Sequence, residues 1–388
     1  MANFSTNMTD FLLSIFLVDI AIIFLGSASS PNVSSVSRLI TISNIVSLVA
    51  GLLLGALSLR VKYKISLIIG LLCISVGAIG CSLAPNLLTL QIFYPLDGAG
   101  TVLIGAMAYT LAGEHLPITK RGKAVSYIMI GSPISGVIGS FVIWLFFGEP
   151  ASWRSFMVLY VLPISIVSLI LVYFYVPSMS HSMKAISKET IKEKIDHVLA
   201  SSHVIACLVG NLFRYIGSVW SIFGIAFART EFGLSTMAGA TIVLIGNIGS
   251  VLGMILSGHL VNKVGRKKLV VASTFSLGFI PLAYISSGNV WLAVSIWMIL
   301  GVVSGLSLSS NINFTLEQKP KSRGFLMSIN GAFMYLGFAL GGAIGGIVLA
   351  NSNYRFVGFT FSLFIFAASA IFLTLCKEPC KRQDSKIE

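Results

Sequence analysis

The sequence predicts an all-α membrane protein in which twelve transmembrane helices form two homologous six-helix bundles around a central cavity. Three observations support this prediction: the composition is apolar, long apolar segments recur along the chain, and the second half of the chain repeats the first. Of the 388 residues, 56% are hydrophobic and 10% are charged. A soluble domain carries about 25% charged residues, so this chain cannot cover a water-facing surface.

Twelve apolar segments are long enough to cross a bilayer, which takes roughly 20 residues of helix. Backbone hydrogen bonds must be satisfied within lipid, so segments of this length form helices. The strands of a membrane barrel would instead show alternating segments of about ten residues. The predicted spans lie near residues 9–30, 39–59, 65–84, 87–112, 123–147, 155–176, 203–228, 236–259, 267–287, 290–314, 324–350 and 355–376.

The internal repeat divides these spans into two sets of six. Matched positions recur at nearly constant offsets: Gly55 and Gly258 (203), Gly122 and Gly324 (202), and Arg154 and Arg355 (201). Collinear matches indicate duplicated halves, an architecture in which a site between two bundles can open to alternate sides. We therefore expect an N-terminal bundle over 1–177, a linker with a surface helix over 178–201, a C-terminal bundle over 202–376 and a tail over 377–388.

Basic residues alternate between the two sides of the predicted membrane. Of the 26 Lys and Arg residues, 21 lie in alternate connections and in the tail. The opposite connections hold Arg38, Arg154, Arg229 and Arg355, and Arg214 lies within a span. Because positive charge marks the cytoplasmic side, we expect a multi-pass protein of the cytoplasmic membrane with both termini cytoplasmic. This distribution also argues against a nucleic-acid partner, in spite of a net charge of +13.

Two connections carry copies of one glycine-containing basic motif. The copy after span 8 includes Gly258, Asn262, Gly265 and Arg266, and the copy after span 2 retains Gly55 and Arg60. With its two halves and this motif, the chain resembles the major facilitator superfamily, in which the motif is Gly-x-x-x-Asp-Arg-x-Gly-Arg-Arg/Lys. The resemblance implies that these residues belong to a conformational latch. The acid of the motif is replaced by Leu59 in the first copy and by Asn262 in the second.

Other segments resemble two different branches of that superfamily. The segment from Tyr109 to Gly122 is similar to the connection between spans 4 and 5 of sugar and metabolite porters. The segment from Gly131 to Gly139, and Trp153 with Arg154, are similar to drug–proton antiporters. The resemblance therefore implies a secondary transporter of a small organic solute, and it leaves both metabolite transport and drug-type efflux open.

Three formally charged residues lie well inside predicted spans: Asp19, Asp97 and Arg214. An isolated ion in the bilayer is costly, so each should face a cavity or a partner. Burial disfavours the charged form of a carboxylate, so such an acid can bind and release a proton near physiological pH. The alternative is a static ion pair, for instance between Arg214 and one of the acids. Two acids against one arginine favour a neutral or cationic solute.

Further candidates for solute binding are polar and aromatic residues on inner faces of the predicted spans. Each intramembrane Asn has the alternative role of a hydrogen bond between helices. The candidates are Asn211, Tyr215, Trp220, Asn247, Asn311 and Asn313.

The leading functional hypothesis is a proton-coupled secondary transporter that works by alternating access. A passive uniporter and a transporter-like receptor that moves nothing are the alternatives. The chain has no Gly-x-x-x-x-Gly-Lys phosphate-binding loop, so ATP bound by this chain does not drive transport, and no motif indicates an enzyme. We expect a monomer in the lipid bilayer whose partners are protons and a small organic solute, by symport or antiport, and which needs no cofactor or metal.

Overall fold

The computed structural model describes residues 8–57, 63–115, 131–147, 152–176, 201–319 and 323–378. The predicted linker helix, the connection over residues 116–130, Arg60 of the first motif copy and the end of the tail lie outside the described residues. Within them the N-terminal half forms α1 (Met8–Leu25), α2 (Ser30–Leu57), α3 (Tyr63–Ser82), α4 (Leu87–His115), α5 (131–147) and α6 (Trp153–Tyr175).

The C-terminal half forms α7 to α12 within the same described residues. Helix α7 spans Ser202–Glu231 and is interrupted at Val219. The others are α8 (Thr236–Val264), α9 (Arg266–Ile285), α10 (Val290–Gln318), α11 (Arg323–Asn351) and α12 (Tyr354–Thr374).

The length and composition of the helices confirm the predicted all-α membrane architecture. Ten of the described helices are long and apolar enough to cross a membrane, and α1 and α5 contain the shorter apolar segments Leu12–Leu25 and Gly131–Leu145. The first span, predicted over 9–30, ends earlier in the structure. Gly26 takes a φ of +82°, which glycine adopts without strain, and this residue turns the chain out of α1 after Leu25.

Consecutive helices run antiparallel, so the bundle has two ends. We call one end the turn face, because short connections lie there at residues 26–29, 83–86, 232–235, 286–289 and 352–353. The other end, where α6 ends and α7 begins, is the linker face. At the turn face Ser235, Asn289 and Asn353 accept hydrogen bonds from the first backbone N–H groups of α8, α10 and α12. These caps satisfy donors that a helix leaves unpaired at its start.

The two halves pack their helices in equivalent ways. Helix α2 packs against α4, and α8 packs against α10. Gly98 of α4 lies against Ser43 of α2, and Gly301 of α10 lies against the backbone of Gly246 of α8. The first pair maps onto the second at an offset of 203, which is the offset between the two motif copies. The sequence repeat therefore corresponds to a repeated helix contact.

The halves meet along α2 and α11. Ser34 donates a hydrogen bond to the backbone oxygen of Gly346 at 2.7 Å, and Gly342 lies against Ile40 and Thr41. Small residues let the two helices approach closely without a hydrophobic driving force. These contacts lie in the part of each helix nearest the turn face.

At the linker face, the segment after α12 crosses the ends of three helices. Its backbone oxygens lie at hydrogen-bond distance from one side chain of each helix: Leu375 from His203 of α7 (2.8 Å), Cys376 from Lys267 of α9 (2.6 Å) and Lys377 from Gln318 of α10 (3.2 Å). The Glu378 side chain accepts a hydrogen bond from the backbone N–H of Lys267 at 3.3 Å, at the start of α9. A carboxylate in this position stabilises the positive end of the helix.

Replacing Glu378 with Ala is expected to loosen the first turn of α9. An exposed carboxylate at a helix start contributes about 0.3–1 kcal/mol, so amide hydrogen exchange at Lys267 should accelerate roughly twofold to fivefold. Hydrogen exchange on the full-length protein in lipid nanodiscs measures this rate. Lys377→Ala removes a neighbouring exposed side chain and keeps the backbone contact, so it is the matched control. Equal exchange rates in both variants would contradict the proposed capping contact.

Candidate functional site

A buried ion pair between Asp19 of α1 and Arg229 of α7 joins the two halves near the turn face. Nη1 of Arg229 lies 2.6 Å from Oδ2 of Asp19, and Nη2 lies 2.8 Å from Oδ1. The side chains are 18% exposed for Asp19 and 6% exposed for Arg229. Two parallel charge-assisted hydrogen bonds are the strongest arrangement that a guanidinium and a carboxylate adopt.

Neighbouring groups complete the hydrogen bonds of this ion pair. Thr236 Oγ1, at the start of α8, accepts from Arg229 Nη2 at 3.0 Å and donates to Asp19 Oδ1 at 3.1 Å. Arg229 Nη1 also donates to the backbone oxygen of Ile15 at 2.7 Å, and Nε donates to that of Leu234 at 3.5 Å. One network thus connects α1, α7 and α8, and it compensates both charges for the loss of water.

The connection between α7 and α8 explains why Arg229 reaches this position. Helix α7 continues to Glu231, and Gly233, with a φ of +62°, reverses the chain before α8 begins. Gly239, in the first turns of α8, leaves room for the arginine. A Cβ atom at Gly239 would lie 3.0 Å from Cδ of Arg229.

Arg229 is not the partner that the sequence suggests for Asp19, because the sequence offers Arg214 as the example of a partner for an intramembrane acid. The predicted seventh span ends near residue 228, so Arg229 counts there as a loop residue, whereas the structure includes it in α7 and buries it. One signal in the sequence indicates its role. Arg229 is a basic residue on the side of the predicted membrane that carries few of them.

Arg214 lies deep in the C-terminal half, on the same helix as Arg229. It is 2% exposed. Its Nε donates to Oγ of Ser307 on α10 at 3.2 Å, and that hydroxyl lies 3.3 Å from Oγ1 of Thr274 on α9. The guanidinium also lies over the ring of Tyr215, 5.3 Å from its centroid. Within the part of the chain that the structure describes, no carboxylate forms an ion pair with Arg214.

A second polar group surrounds Asn211, one turn before Arg214. Asn211 Nδ2 donates to Oδ1 of Asn330 on α11 at 2.6 Å and to Oγ1 of Thr315 on α10 at 3.1 Å. Thr315 donates to Oδ1 of Asn311 at 3.1 Å, and Asn330 Nδ2 lies 3.5 Å from the hydroxyl of Tyr215. The structure thus brings together three predicted residues, Asn211, Tyr215 and Asn311. Thr315 and Asn330 join them without having been predicted.

Asp97 lies on α4 in the N-terminal half and is 5% exposed. Helix α3 approaches its backbone at Gly77, and the next residue, Gly98, lies against α2. Among the described residues, Asp97 forms no ion pair with Arg214 or Arg229. The three charged residues predicted inside the spans therefore occupy three separate environments.

Three other predicted solute-binding residues lie outside the polar group around Asn211. Trp220 is 1% exposed and packs edge-on against Tyr284, with ring centroids 6.0 Å apart. Asn247 donates to the backbone oxygen of Val243 at 3.0 Å, and Asn313 donates to that of Ser309 at 2.9 Å. These two asparagines bond within their own helices.

The second copy of the loop motif lies at the linker face. Gly265, with a φ of +94°, separates α8 from α9. The next residue, Arg266, lies 3.7 Å from the carboxylate of Glu317 at the end of α10. Gly258 and Asn262 lie within α8, and Gly55 of the first copy lies within α2. The charged contact between Arg266 and Glu317 joins helices of the same half.

A metal site requires several ligating side chains close together. The described residues contain no group of three or more His, Cys, Asp or Glu side chains placed to hold a metal ion. Instead, the site offers charge and hydrogen bonding at two places: an ion pair between the halves, and a buried guanidinium with hydroxyl and amide groups in one half.

Comparisons with known proteins agree with this architecture. The model of the Major Facilitator Superfamily matches residues 2–322 and 208–388. The uncharacterised MFS-type transporter YwfA of Bacillus subtilis is 24% identical over an alignment of 369 residues, and the match covers 92% of this chain and 86% of YwfA. The sialic acid transporter NanX of Escherichia coli is 26% identical over an alignment of 255 residues, and the match covers 64% of this chain and 62% of NanX.

A solved structure shows the same fold over nearly the whole chain. The crystal structure of a D-xylose–proton symporter superimposes with a TM-score of 0.81 and covers 97% of each chain, at 14% sequence identity. The shared fold, the match of the family model across the chain and the relatives agree. The chain belongs to the Major Facilitator Superfamily and is a multi-span membrane transporter.

Proposed function

We propose that this protein is a secondary active transporter that moves a small organic solute across the cytoplasmic membrane by alternating access, coupled to protons. The observation that carries the proposal is the Asp19–Arg229 ion pair, which joins the two halves at one end of the molecule. The α2–α11 contact at Ser34 and Gly346 lies near the same end. Closure of one end by breakable polar contacts is what alternating access requires.

The distribution of charge supports an orientation for this closed end. Of the basic residues that the sequence places in alternate connections, Lys263, Arg266 and Lys267 are described and lie at the linker face. By the positive-inside rule this face is cytoplasmic. The turn face is then the outer side, and both termini are cytoplasmic. In this proposal, the Asp19–Arg229 pair and the α2–α11 contact close the outer side of the transporter.

Opening the turn face requires the Asp19–Arg229 ion pair to break. Protonation of Asp19 would remove its charge, and the two charge-assisted hydrogen bonds would become weaker neutral ones. Asp97 is the second candidate for a proton, because it is a buried carboxylate on a separate helix of the N-terminal half. A proton on either acid would then bias the equilibrium between the two states.

Proton flux in proteoliposomes tests this function. The purified protein would be reconstituted with a pH-sensitive dye inside, and sugars, sugar acids and lipophilic cations would be added outside. We expect one class of solute to evoke proton movement and to accumulate against its gradient when a pH gradient is imposed. Asp97→Asn or Asp19→Asn should abolish the accumulation and preserve solute exchange. Full gradient-driven accumulation in both variants would refute proton coupling through these acids.

A passive uniporter is the second candidate function. The observation that favours it is the complete pairing of Asp19 by Arg229 and Thr236, which gives this acid a structural role. A uniporter would equilibrate its solute without concentrating it at any imposed pH gradient. A transporter-like receptor would bind a solute and move none, so the same assay separates all three functions.

A further inference from the structure

Two buried arginines of α7 have very different partners. Arg229 is held by both carboxylate oxygens of Asp19 and by three further oxygens. For Arg214 the structure gives one side-chain hydrogen bond, from Nε to Ser307, and the face of the Tyr215 ring. Within the described residues, the two terminal nitrogens of Arg214 have no hydrogen-bond partner and no counter-ion.

A guanidinium in this environment requires an anion. Removing a charge from water into a helix bundle is costly, and one neutral hydroxyl and a ring offset only part of that cost. A guanidinium stays charged under all physiological conditions, so loss of a proton cannot relieve the cost. A static partner would have satisfied Arg214 in the same way that Asp19 satisfies Arg229.

The neighbouring amides also have unused hydrogen-bonding capacity. Oδ1 of Asn211 and Nδ2 of Asn311 are buried without a hydrogen-bond partner within the described residues. Asn211 lies one turn from Arg214 on α7, and Asn311 lies one turn from Ser307 on α10. Side chains three or four residues apart share a helix face. The group therefore combines an unneutralised cation with one free amide donor and one free amide acceptor.

We propose that Arg214 binds a carboxylate group of the transported solute, with Asn211 and Asn311 binding its polar hydroxyl or amine groups. A carboxylate fits because its two oxygens match the fork of donors on a guanidinium. The assignment rests on the transport function proposed above and defines its substrate class as organic acids. It reverses the preference for neutral or cationic solutes that the count of charges in the sequence suggests.

The reason for the reversal is the pairing between the halves. In the sequence, two intramembrane acids face one arginine. In the structure, Arg229 neutralises Asp19, and Arg214 forms no ion pair with a carboxylate of the described residues. A solute that carries its own negative charge supplies the counter-ion of Arg214, whereas a cationic solute would be repelled there.

Thermal stability of the ligand-free protein gives the first test. Arg214→Gln removes an uncompensated charge and keeps a donor for Ser307, so the melting temperature of the purified full-length protein should stay the same or rise. Binding sites commonly trade stability for function in this way. A fall of the melting temperature comparable to that of Arg229→Gln would show that Arg214 has a structural partner and would overturn the proposal.

Ligand binding gives the second test, with pairs of probes that differ in the charged group. We expect D-glucuronate or benzoate to stabilise the wild-type protein, and their uncharged counterparts D-glucose and benzamide to bind at least about tenfold more weakly. In Arg214→Gln this preference for the acid should disappear. Stabilisation by the neutral probes or by tetraphenylphosphonium alone, or by none of the probes, would overturn the proposal.

The outcomes separate this proposal from the transport function. Acid-specific binding that depends on Arg214, without any flux in proteoliposomes, would support the anion site and contradict transport. Flux of a neutral solute that is insensitive to Arg214→Gln would support transport and contradict the anion site.

Discussion

Replacing Arg229 with Gln is expected to lower the melting temperature of the protein by about 4–6 °C. The substitution removes the cation and leaves the partly buried Asp19 carboxylate of α1 without a counter-ion, next to Thr236 of α8. Breaking one side of a buried ion pair costs about 3–5 kcal/mol, because the remaining charge has lost both water and its partner. Differential scanning fluorimetry on protein in a mild detergent measures the shift.

The double variant Asp19→Asn with Arg229→Gln is the control for this prediction. Two neutral amides can hydrogen bond to each other and leave no charge buried, so the double variant should recover most of the lost stability. The difference between the stability change of the double variant and the sum of the two single changes gives the free energy of the Asp19–Arg229 interaction. A double variant as unstable as Arg229→Gln alone, or a single variant that melts within 1 °C of the wild type, would contradict the role given to the ion pair.

Replacing Gly301 with Ala is expected to destabilise the C-terminal half. A Cβ atom at this position would overlap the backbone oxygen of Gly246, so α10 and α8 would have to move apart along their contact. A backbone shift of this kind costs about 1–3 kcal/mol, and the melting temperature should fall by about 1–4 °C.

Gly331→Ala is the matched control, because it makes the same change within a helix where the added atom meets open space. Alanine favours helix over glycine by about 0.5–1 kcal/mol, so this variant should keep or raise the melting temperature. An equal loss of stability in both variants would mean that the exchange of glycine for alanine within a helix is itself destabilising, and that the α8–α10 contact is not the cause. The measurement would also test the repeat, since Gly98 on α4 is the equivalent of Gly301 and should respond in the same direction.

Much of the fold follows from local properties of the sequence. A run of roughly 20 apolar residues forms a helix in lipid whatever its neighbours are, because each backbone group finds its partner within the helix. For this reason twelve helices could be predicted and their approximate positions given. Some boundaries differ: α1 ends at Leu25, α2 begins at Ser30 rather than near residue 39, and α7 continues to Glu231. The ends at Leu25 and Glu231 depend on turns at Gly26 and Gly233, where a positive φ decides where the helix ends.

The sequence predicts which charged residues lie inside the spans, but it does not predict which of them form an ion pair. Asp19, Asp97 and Arg214 were identifiable because a charge inside a span is expensive wherever it lies. The partner of Asp19 was not identifiable, because Arg229 lies 210 positions away along the chain and at the edge of its span. Thr315 and Asn330 were missed for a related reason. A hydroxyl or an amide in a helix gives no signal until its partner across the bundle is known.

The sequence by itself determined that this chain spans a membrane in two repeated halves, since hydropathy and repetition are properties of order along the chain. The tertiary structure alone decided which charges neutralise each other, since an ion pair depends on distances of a few ångströms between helices that are remote in sequence. Asp19 pairs with Arg229, and Arg214 remains without a carboxylate among the described residues. The same three charged residues that suggested a neutral or cationic solute in the sequence thereby favour an acid in the fold.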